Sequence, residues 1–223
     1  MMIDVKIKMN SHLFVKDPEQ SELGRKIVTK GLELINSIGF EEFTFKKLAK
    51  SINTTEASIY RYFENKHRLL TYLISWYWSF LEFKIIYHTN NIKNPKDKLI
   101  KVLEILAKPE NTKHQSDYLS EKDIYQLLVY EGAKSYLTRH VTVDNRELHF
   151  KPLKSLTKCI SDFILEFKPK FKYANSLAST LIETTYSQKF FMNNLTTLTS
   201  FRDKKDLNGL FHYLELLLFN CLK

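Results

Sequence analysis

Residues 55 to 63 carry the side chains whose types and spacing best fit a surface that recognises another molecule. Thr55 predicts a helix N-cap, because its hydroxyl can accept a backbone N–H that the first turn leaves unpaired. Ile59 and Phe63 lie four residues apart, which predicts the buried side of that helix. The polar and aromatic side chains predicted wholly or partly outward are those of Glu56, Ser58, Tyr60, Arg61 and Tyr62. Hydroxyl and guanidinium groups on one helix face can bind phosphates and base edges, so nucleic-acid recognition is one interpretation of this stretch.

The preceding stretch predicts a second helix that would hold this surface in place. Thr44 is its predicted N-cap, and its apolar residues recur at helical spacing from Phe45 to Ile52. Asn53 falls where the chain must reverse, and after glycine asparagine best tolerates a left-handed backbone. Two helices around a short turn form the helix-turn-helix geometry, whose second helix enters the major groove. An ordinary helical hairpin has the same pattern, so the pattern alone leaves both interpretations open.

The run from Leu48 to Leu70 resembles the DNA-binding signature of TetR-family (tetracycline-repressor-like) regulators. In that family a small residue and Ser or Thr open the recognition helix, an aliphatic-Tyr-x-(Tyr/His)-Phe run completes it, and a Lys begins the next helix. The positions that fit this signature are Ala57, Ser58, Ile59, Tyr60, Tyr62, Phe63 and Lys66. The resemblance covers roughly residues 18 to 75, and the remainder of the chain resembles the family in length and helicity.

Three positions depart from the family pattern. Asn53 stands where the family usually has glycine, and Thr54 stands where it has an aliphatic residue. Glu56 occupies a position that is more often basic or neutral. A carboxylate beside phosphates is repelled unless it accepts a hydrogen bond from a cytosine amino group, so Glu56 matters most for DNA binding.

The resemblance implies a set of DNA-binding residues and three partners. Tyr60 and Lys66 are expected to hold phosphates, while Arg61 can contact phosphates or bases. The residues expected to face base edges are Glu56, Ala57, Ser58 and Tyr62. The full predicted DNA-binding set is Thr44, Thr55, Glu56, Ala57, Ser58, Tyr60, Arg61, Tyr62 and Lys66. The implied partners are double-stranded DNA with a palindromic operator, a second copy of the chain and an unidentified small-molecule effector.

Composition indicates a helical protein around this region. The 223 residues include only five glycines and five prolines. No apolar run reaches the roughly 20 residues that a membrane span requires. The first residues lack the apolar stretch of a signal peptide, which favours a cytoplasmic protein. The net charge of +9 is spread over the whole chain, so it favours attraction to DNA without locating a site.

Catalytic and metal chemistry are not predicted. The sequence has no glycine-rich phosphate loop and no nucleophile elbow. The seven histidines include no pair at i and i+4 and no neighbouring cysteine. Cys159 and Cys221 lie far apart in apolar contexts, which favours buried, reduced thiols. The sequence therefore predicts no enzyme, no metal site and no cofactor.

The predicted fold is all-α, with about nine helices. Residues 1–17 are expected to form a flexible N-terminal arm, and residues 18–66 a three-helix DNA-binding domain. A long helix joins this domain to residues 67–223, the predicted effector-binding and dimerisation domain.

The predicted helices follow from caps, breakers and apolar stripes. The first helix is expected from near Pro18 to Ser37, and the long helix from Asn65 to about Tyr87. Residues 138–150 predict a loop, with a small hairpin as the alternative. The other helices are predicted near residues 94–109, 121–137, 152–167, 171–197 and 204–222.

The last two predicted helices each carry an apolar face that is typical of a dimer seam. Pairing two such hairpins across a two-fold axis would bury a four-helix interface. The alternative is that the same faces form the internal core of one protomer. The predicted seam residues are Leu177, Leu181, Gln188, Leu207, Leu210, Leu214 and Leu217.

Aromatic residues on several helix faces predict an effector pocket. Glu131 follows Ile124, Leu127 and Leu128 at helical spacing, so its carboxylate falls in or beside an apolar stripe. Such a carboxylate borders a pocket or pairs with a nearby Lys or Tyr at the edge of the stripe. The predicted pocket residues are Trp76, Tyr77, Phe80, Tyr125, Glu131, Phe163 and Tyr186.

Together these patterns predict a TetR-like transcriptional regulator that acts as a repressor and is released by an effector. The alternative is a helical ligand-binding or interaction protein without specific DNA binding.

Overall fold

The computed structural model describes residues 7–108, 119–201, 203 and 206–223. These residues form ten α-helices and four short 3-10 helices, and no β-strand is found among them. The α-helices are α1 (Glu22–Ile38), α2 (Phe45–Ser51), α3 (Glu56–Tyr60), α4 (Lys66–Thr89), α5 (Pro95–Ala107), α6 (Glu121–Glu131), α7 (Val141–Arg146), α8 (Lys151–Phe167), α9 (Ala174–Asn194) and α10 (Leu207–Cys221). The all-α prediction is therefore confirmed.

The predicted helix ends are mostly confirmed, because capping chemistry is local in sequence. Gly39 follows α1 with φ +78°, and its N–H donates to the carbonyl of Ile35. Asn53 has φ +54°, as the turn between α2 and α3 requires. Asn65 caps α4, since its Oδ1 accepts the Arg68 N–H at 2.9 Å.

Three helix predictions need correction. The first helix begins at Glu22 with Ser21 as its N-cap, because Pro18 opens a separate 3-10 turn. The sixth helix ends at Glu131, and Gly132–Ser135 continue as a 3-10 turn. The predicted loop 138–150 contains the six-residue helix α7. Polar residues of that segment contact the half-buried Arg68, so a count of apolar residues does not show its helical period.

The chain divides into two compact units, and α4 contributes residues to both. Unit 1 comprises the described residues of Met1–Trp78 and Asn111–Pro152. Unit 2 comprises those of Ser79–Glu110 and Leu153–Lys223. By packing, residues 119–152 thus belong with the helix-turn-helix. The functional boundary that the sequence predicts at residue 66 stays a prediction.

The core of unit 1 forms where α1 packs against α2, α6 and the start of α4. Ile27, Val28 and Leu48 are fully buried there. Gly31 marks the closest approach, because a Cβ at this position would lie 2.9 Å from Leu69 Cδ2. The first turn of α4 is thereby held directly on the helix that braces the DNA-binding region.

Unit 2 consists of the end of α4 with α5, α8, α9 and α10. Helix α10 packs on α5 and α9 through Leu210, Leu214 and Leu218, each with no exposed surface. Cys159 is half-buried, and burial raises the pKa of its thiol to about 11. Cys221 is exposed, so the prediction of a buried thiol is wrong for this cysteine. None of the helices in the described part of the chain combines the length and hydropathy that a bilayer crossing requires.

Candidate nucleic-acid interface

Two threonine caps hold the helix-turn-helix. Thr44 Oγ1 accepts the Lys47 N–H at the start of α2, and Thr55 Oγ1 accepts the Ser58 N–H at the start of α3, both at 3.2 Å. Between them the Thr54 N–H donates to the Ala49 carbonyl at 2.9 Å. Thr44 and Thr55 are exposed, as predicted, but their hydroxyls are already engaged in holding the two helix starts.

Helix α3 presents a compact polar face. Glu56, Ala57 and Arg61 are exposed, and Ser58 is half-buried. Ile59 has no exposed surface, so it anchors the opposite side. A face of this kind on a short helix can enter a groove and reach base edges.

Tyr60 lies at the end of this face and is held by an aromatic contact. Its ring packs edge-on against Phe45 with 5.1 Å between the centroids, while half of the side chain stays exposed. The hydroxyl is thus free to reach a phosphate while α2 fixes the ring.

Tyr62 does not face base edges, which corrects the prediction. Its side chain is only 5% exposed. Its hydroxyl forms a 2.8 Å hydrogen bond with Ser21 Oγ, the group that caps α1. The residue therefore ties the end of the recognition helix to the bracing helix instead of reading DNA.

Lys66 is also misassigned as a phosphate contact. Its ammonium donates to the carbonyl oxygens of Phe40, Glu41 and Phe43 at 2.9, 3.0 and 3.2 Å. An ammonium has three N–H donors, and these three bonds use all of them. The ammonium also lies 4.7 Å from the Phe40 ring centroid. Lys66 thus holds the segment between α1 and α2.

Arg68, in the first turn of α4, joins this region to residues 144–149 of unit 1. Its Nη1 donates to Asp144 Oδ1 at 3.2 Å, and its Nη2 donates to Glu147 Oε2 at 2.7 Å. Nη1 also lies 2.6 Å from His149 Nδ1. A guanidinium can only donate, so the His149 ring must accept and is neutral. Asp144 and His149 are buried, which makes this a desolvated polar cluster.

The cluster sits on a strained turn with further anchors. Leu148 has φ +62°, a left-handed conformation that is unfavourable for a side chain of its size. The His149 carbonyl accepts from Ser75 Oγ at 3.1 Å, and the Glu147 carbonyl accepts from Asn10 Nδ2 at 2.9 Å. The residue pattern did not predict this cluster. The sequence feature that could have indicated the cluster is the close spacing of three titratable residues in a segment predicted to be a loop.

The same residues have the composition of a cation site. Asp144, Glu147 and His149 each offer a ligand atom, and these atoms lie within 4.8 Å of one another. The Arg68 guanidinium lies among them and supplies the positive charge. The geometry therefore fits an internal arginine better than a metal ion.

The cluster predicts a loss of stability in mild acid. Burial, followed by the nearby Arg68, lowers the pKa of His149, and burial lowers the pKa of His67 beside Asp144. Both folded-state pKa values then lie below the unfolded value of about 6.5. Below that pH the unfolded chain binds more protons, so the free energy of unfolding should fall as the pH drops.

Urea unfolding at pH 7.5 and pH 5.5 checks this pH dependence. His149→Gln should lose less stability between the two pH values than the wild type does. His88→Gln, at an exposed position, should follow the wild type. Equal losses for both variants would contradict the role given to His149.

Glu131 is buried but does not border a pocket in the way predicted. Its Oε1 accepts the Phe40 N–H at 3.0 Å, and its Oε2 lies 2.7 Å from Lys134 Nζ. Lys134 pairs in addition with Glu41 at 3.0 Å. The interpretation of Glu131 as an edge carboxylate paired with lysine is therefore correct. Glu131 is not counted among the proposed pocket residues.

The other predicted pocket residues are divided between the two units. In unit 1, Tyr77 and Tyr125 are buried with ring centroids 6.4 Å apart, and burial raises the pKa of Tyr125. Trp76 is buried in the same unit. The members in unit 2 are Phe80 and Tyr186, both buried, and the half-buried Phe163.

The predicted dimer seam is largely core. Leu181, Leu210 and Leu214 have no exposed surface within the single chain, and Leu177 is 6% exposed. Gln188, Leu207 and Leu217 are half-buried. The opposite side of α10 exposes apolar groups instead, with Tyr213 at 39% and Leu216 at 61%. Periodicity located the apolar stripes of α9 and α10, but the stripes of Leu181, Leu210 and Leu214 pack within the protomer.

Comparison with known proteins relates the helix-turn-helix segment to a family model. Residues 27–73 match the family model described as bacterial regulatory proteins, tetR family. Comparison with curated protein sequences gave no match.

Solved structures share the fold over most of the chain. The fatty acid degradation regulator FadR from Bacillus halodurans has a TM-score of 0.61 and 18% identity, covering 86% of this chain and 96% of that chain. A TetR-family transcriptional regulator from Bordetella parapertussis has a TM-score of 0.55 and 16% identity, covering 90% and 96%. E. coli NemR in its reduced form has a TM-score of 0.57 and 12% identity, also covering 90% and 96%. The helix-turn-helix segment thus matches the tetR-family model, and the chain shares the all-α fold of these solved structures.

Proposed function

We propose that the protein is a cytoplasmic transcriptional repressor that binds a palindromic operator as a homodimer and is released by a small-molecule effector. The observation that carries the proposal is the exposed face of α3, directly after a capped turn. We further propose that the protein has no catalytic activity, since the Asp144, Glu147 and His149 cluster is engaged by Arg68.

The proposed DNA contacts are narrower than the predicted set. Glu56, Ala57 and Ser58 contact base edges, and Tyr60 contacts a phosphate. Arg61 lies at the end of the face and is assigned to a phosphate. Thr44 and Thr55 act mainly by capping, as their 3.2 Å hydrogen bonds from backbone N–H groups support.

Glu56 leads us to expect a preference for one base in the operator. A carboxylate cannot approach phosphates favourably, whereas it can accept a hydrogen bond from the amino group of cytosine. Its side chain is exposed in the first turn of α3, where the helix dipole also favours a negative charge. We therefore expect a cytosine at the operator position nearest Glu56.

The proposed dimer contact uses the outward side of α10 and the end of α9. Tyr213 and Leu216 are exposed on α10 three residues apart, so they form an adjoining apolar surface that a second copy can cover. Gln188, Leu207 and Leu217 have half-buried side chains and stay in the proposed seam. A two-fold contact of this surface with itself would cover these groups.

We assign the effector to unit 2. Phe80 and Tyr186 are buried aromatics, and Phe163 is half-buried, a lining that suits a mainly apolar ligand. The FadR structure is described as that of a fatty acid degradation regulator, so fatty acids are the first ligands to assay. The effector must bind the DNA-free state more tightly, because differential affinity alone shifts the equilibrium.

Selection of genomic fragments by the purified protein tests the function. A repressor of this kind should enrich one palindromic sequence, and enrichment of none would favour a helical ligand-binding protein without specific DNA binding. The enriched operator then serves for all binding measurements below.

Ser58→Ala should weaken operator binding by about 1–3 kcal/mol and change the preferred base at one position, because a direct hydroxyl contact is lost. Tyr60→Phe should weaken all sequences alike, because a phosphate contact carries no base information. Fluorescence anisotropy against an operator library measures both effects. Ser37→Ala, at an exposed position on α1, is the matched control and should bind as the wild type does. Wild-type affinity and preference in Ser58→Ala would contradict the assignment.

A further inference from the structure

We propose that the segment before α1 belongs to the DNA interface and that Lys16, together with Arg61, clamps one backbone phosphate beside the recognition helix. This inference rests on the proposed function, since it assigns a further contact to the same interface. For residues 11–17 it replaces the expectation of a flexible arm, while residues 1–6 of the predicted arm lie outside the described residues.

Residues 11–17 are built onto the helix-turn-helix by specific contacts. The Val15 N–H donates to the Tyr62 carbonyl at 2.8 Å, directly after the recognition helix. Leu13 has no exposed surface, and Phe14 packs edge-on against Tyr72 with centroids 6.2 Å apart. Lys16 therefore leaves the backbone at a defined place.

The connection from this segment into α1 is equally tight. Asp17 Oδ1 accepts the Glu19 N–H at 3.0 Å and so caps the 3-10 turn that Pro18 opens. A Cβ on Gly24 would overlap the carbonyl of Pro18, so α1 lies directly against this turn. The segment is thus held at both of its ends.

Lys16 and Arg61 line one recess beside the α3 face. The recess has a volume of about 240 Å³, and its lining consists of Lys16, Leu23, Ser58, Arg61 and Tyr62. The Lys16 ammonium lies 5.4 Å from the Tyr62 ring centroid, which leaves its N–H groups available. The lining contains two cations and no carboxylate, a composition that suits a phosphate group.

Both cations are available to a ligand. Lys16 and Arg61 are exposed, and neither forms an ion pair with any residue in the described part of the chain. Ser58 lines the recess and also belongs to the proposed base-reading face, so DNA bound at that face would pass a backbone phosphate close to the recess. The proposed occupant is a phosphodiester of the operator backbone.

The test compares the salt dependence of operator binding for wild type, Lys16→Gln and Arg61→Gln. Because the two cations hold one phosphate, each single variant should lower the slope of log affinity against log salt by up to about 0.9 per protomer, hence by up to about 1.8 for the two copies in a dimer. A fourfold rise in salt should then weaken either variant by up to roughly tenfold less than the wild type. The loss should be the same on non-specific DNA, with base preference unchanged.

Lys122→Gln is the matched control, because it removes an exposed lysine charge from α6 in the same unit. It should keep the wild-type slope, and thermal melting should show that all three variants fold as the wild type does. Wild-type slopes in Lys16→Gln and Arg61→Gln would overturn the clamp.

A second arm separates DNA from a free anion. Inorganic phosphate, titrated at constant ionic strength, should give no saturable rise in melting temperature. A saturable rise that Lys16→Gln abolishes would assign the recess to free phosphate and overturn the proposal. A wild type that binds no DNA would overturn both this inference and the proposed function, whereas unchanged slopes with intact wild-type binding would overturn the clamp alone.

Discussion

Arg68→Met should lower the free energy of unfolding by about 3 kcal/mol at neutral pH, because it leaves Asp144 buried beside His149 without a cation. The guanidinium donates to Asp144 and Glu147, and its side chain is only 15% exposed. Removing one partner of a buried ionic cluster costs more than the pair contributes in the intact protein. Urea unfolding followed by circular dichroism measures the change.

Arg146→Met is the matched control for this prediction. Arg146 lies on α7 within the same segment but is exposed, so its loss should cost less than about 0.5 kcal/mol. Adding Asp144→Asn to Arg68→Met should recover part of the loss, because the amide carries no uncompensated charge. If Arg68→Met and Arg146→Met unfold at the same urea concentration, the cluster does not stabilise the fold.

Leu210→Asp with Leu214→Asp should unfold unit 2, at a cost of more than about 4 kcal/mol. Both leucines have no exposed surface and pack between α10 and its neighbours α5 and α9. If these leucines formed the dimer seam instead, the substitutions would give a folded monomer. Circular dichroism and sedimentation velocity distinguish the two results.

Tyr213→Asp with Leu216→Asp is the paired experiment on the other side of α10. Both residues are exposed, so the variant should keep the helical content and melting behaviour of the wild type. It should sediment as a monomer and bind the operator much more weakly, because two linked half-site contacts become one. A dimer in this variant would locate the contact elsewhere, and a folded monomer from Leu210→Asp with Leu214→Asp would restore the original seam.

Helix α10 illustrates what hydrophobic periodicity can and cannot predict. A helical repeat locates the apolar stripe of α10, and Leu210, Leu214 and Leu218 are indeed its buried side. The repeat does not state whether the covering surface is another helix of the same chain or a second copy. Only the packing of α10 on α5 and α9 decides between them.

The same limit explains the two corrected DNA contacts. Tyr62 and Lys66 fit the family signature by residue type and position, yet both bond within the protein. A sequence signature shows which residues occur together. It does not show whether each residue contacts DNA or stabilises the helix-turn-helix. Whether a side chain contacts DNA or the protein depends on its length and direction. For Tyr62 and Lys66, the partners lie at the start of α1 and in the segment after it.

The sequence by itself determined those features that depend on interactions between residues close together in the chain. Threonine and asparagine caps, the glycine after α1, the left-handed Asn53 and the apolar spacing of α2 and α3 depend on neighbours a few residues away. These features were enough to predict the all-α fold and the helix-turn-helix, and the matching family model agrees with them. They also located the exposed face of α3.

Only the tertiary structure decided which distant polar groups meet. Arg68 meets Asp144 from 76 positions away, Glu131 meets the Phe40 N–H from 91 positions away, and Lys16 shares a recess with Arg61. A polar residue in sequence has no stated partner, because a salt bridge and a solvated charge look identical in a pattern of residue types. The folded backbone brings the partners within hydrogen-bond distance, and burial then makes leaving either one unpaired costly.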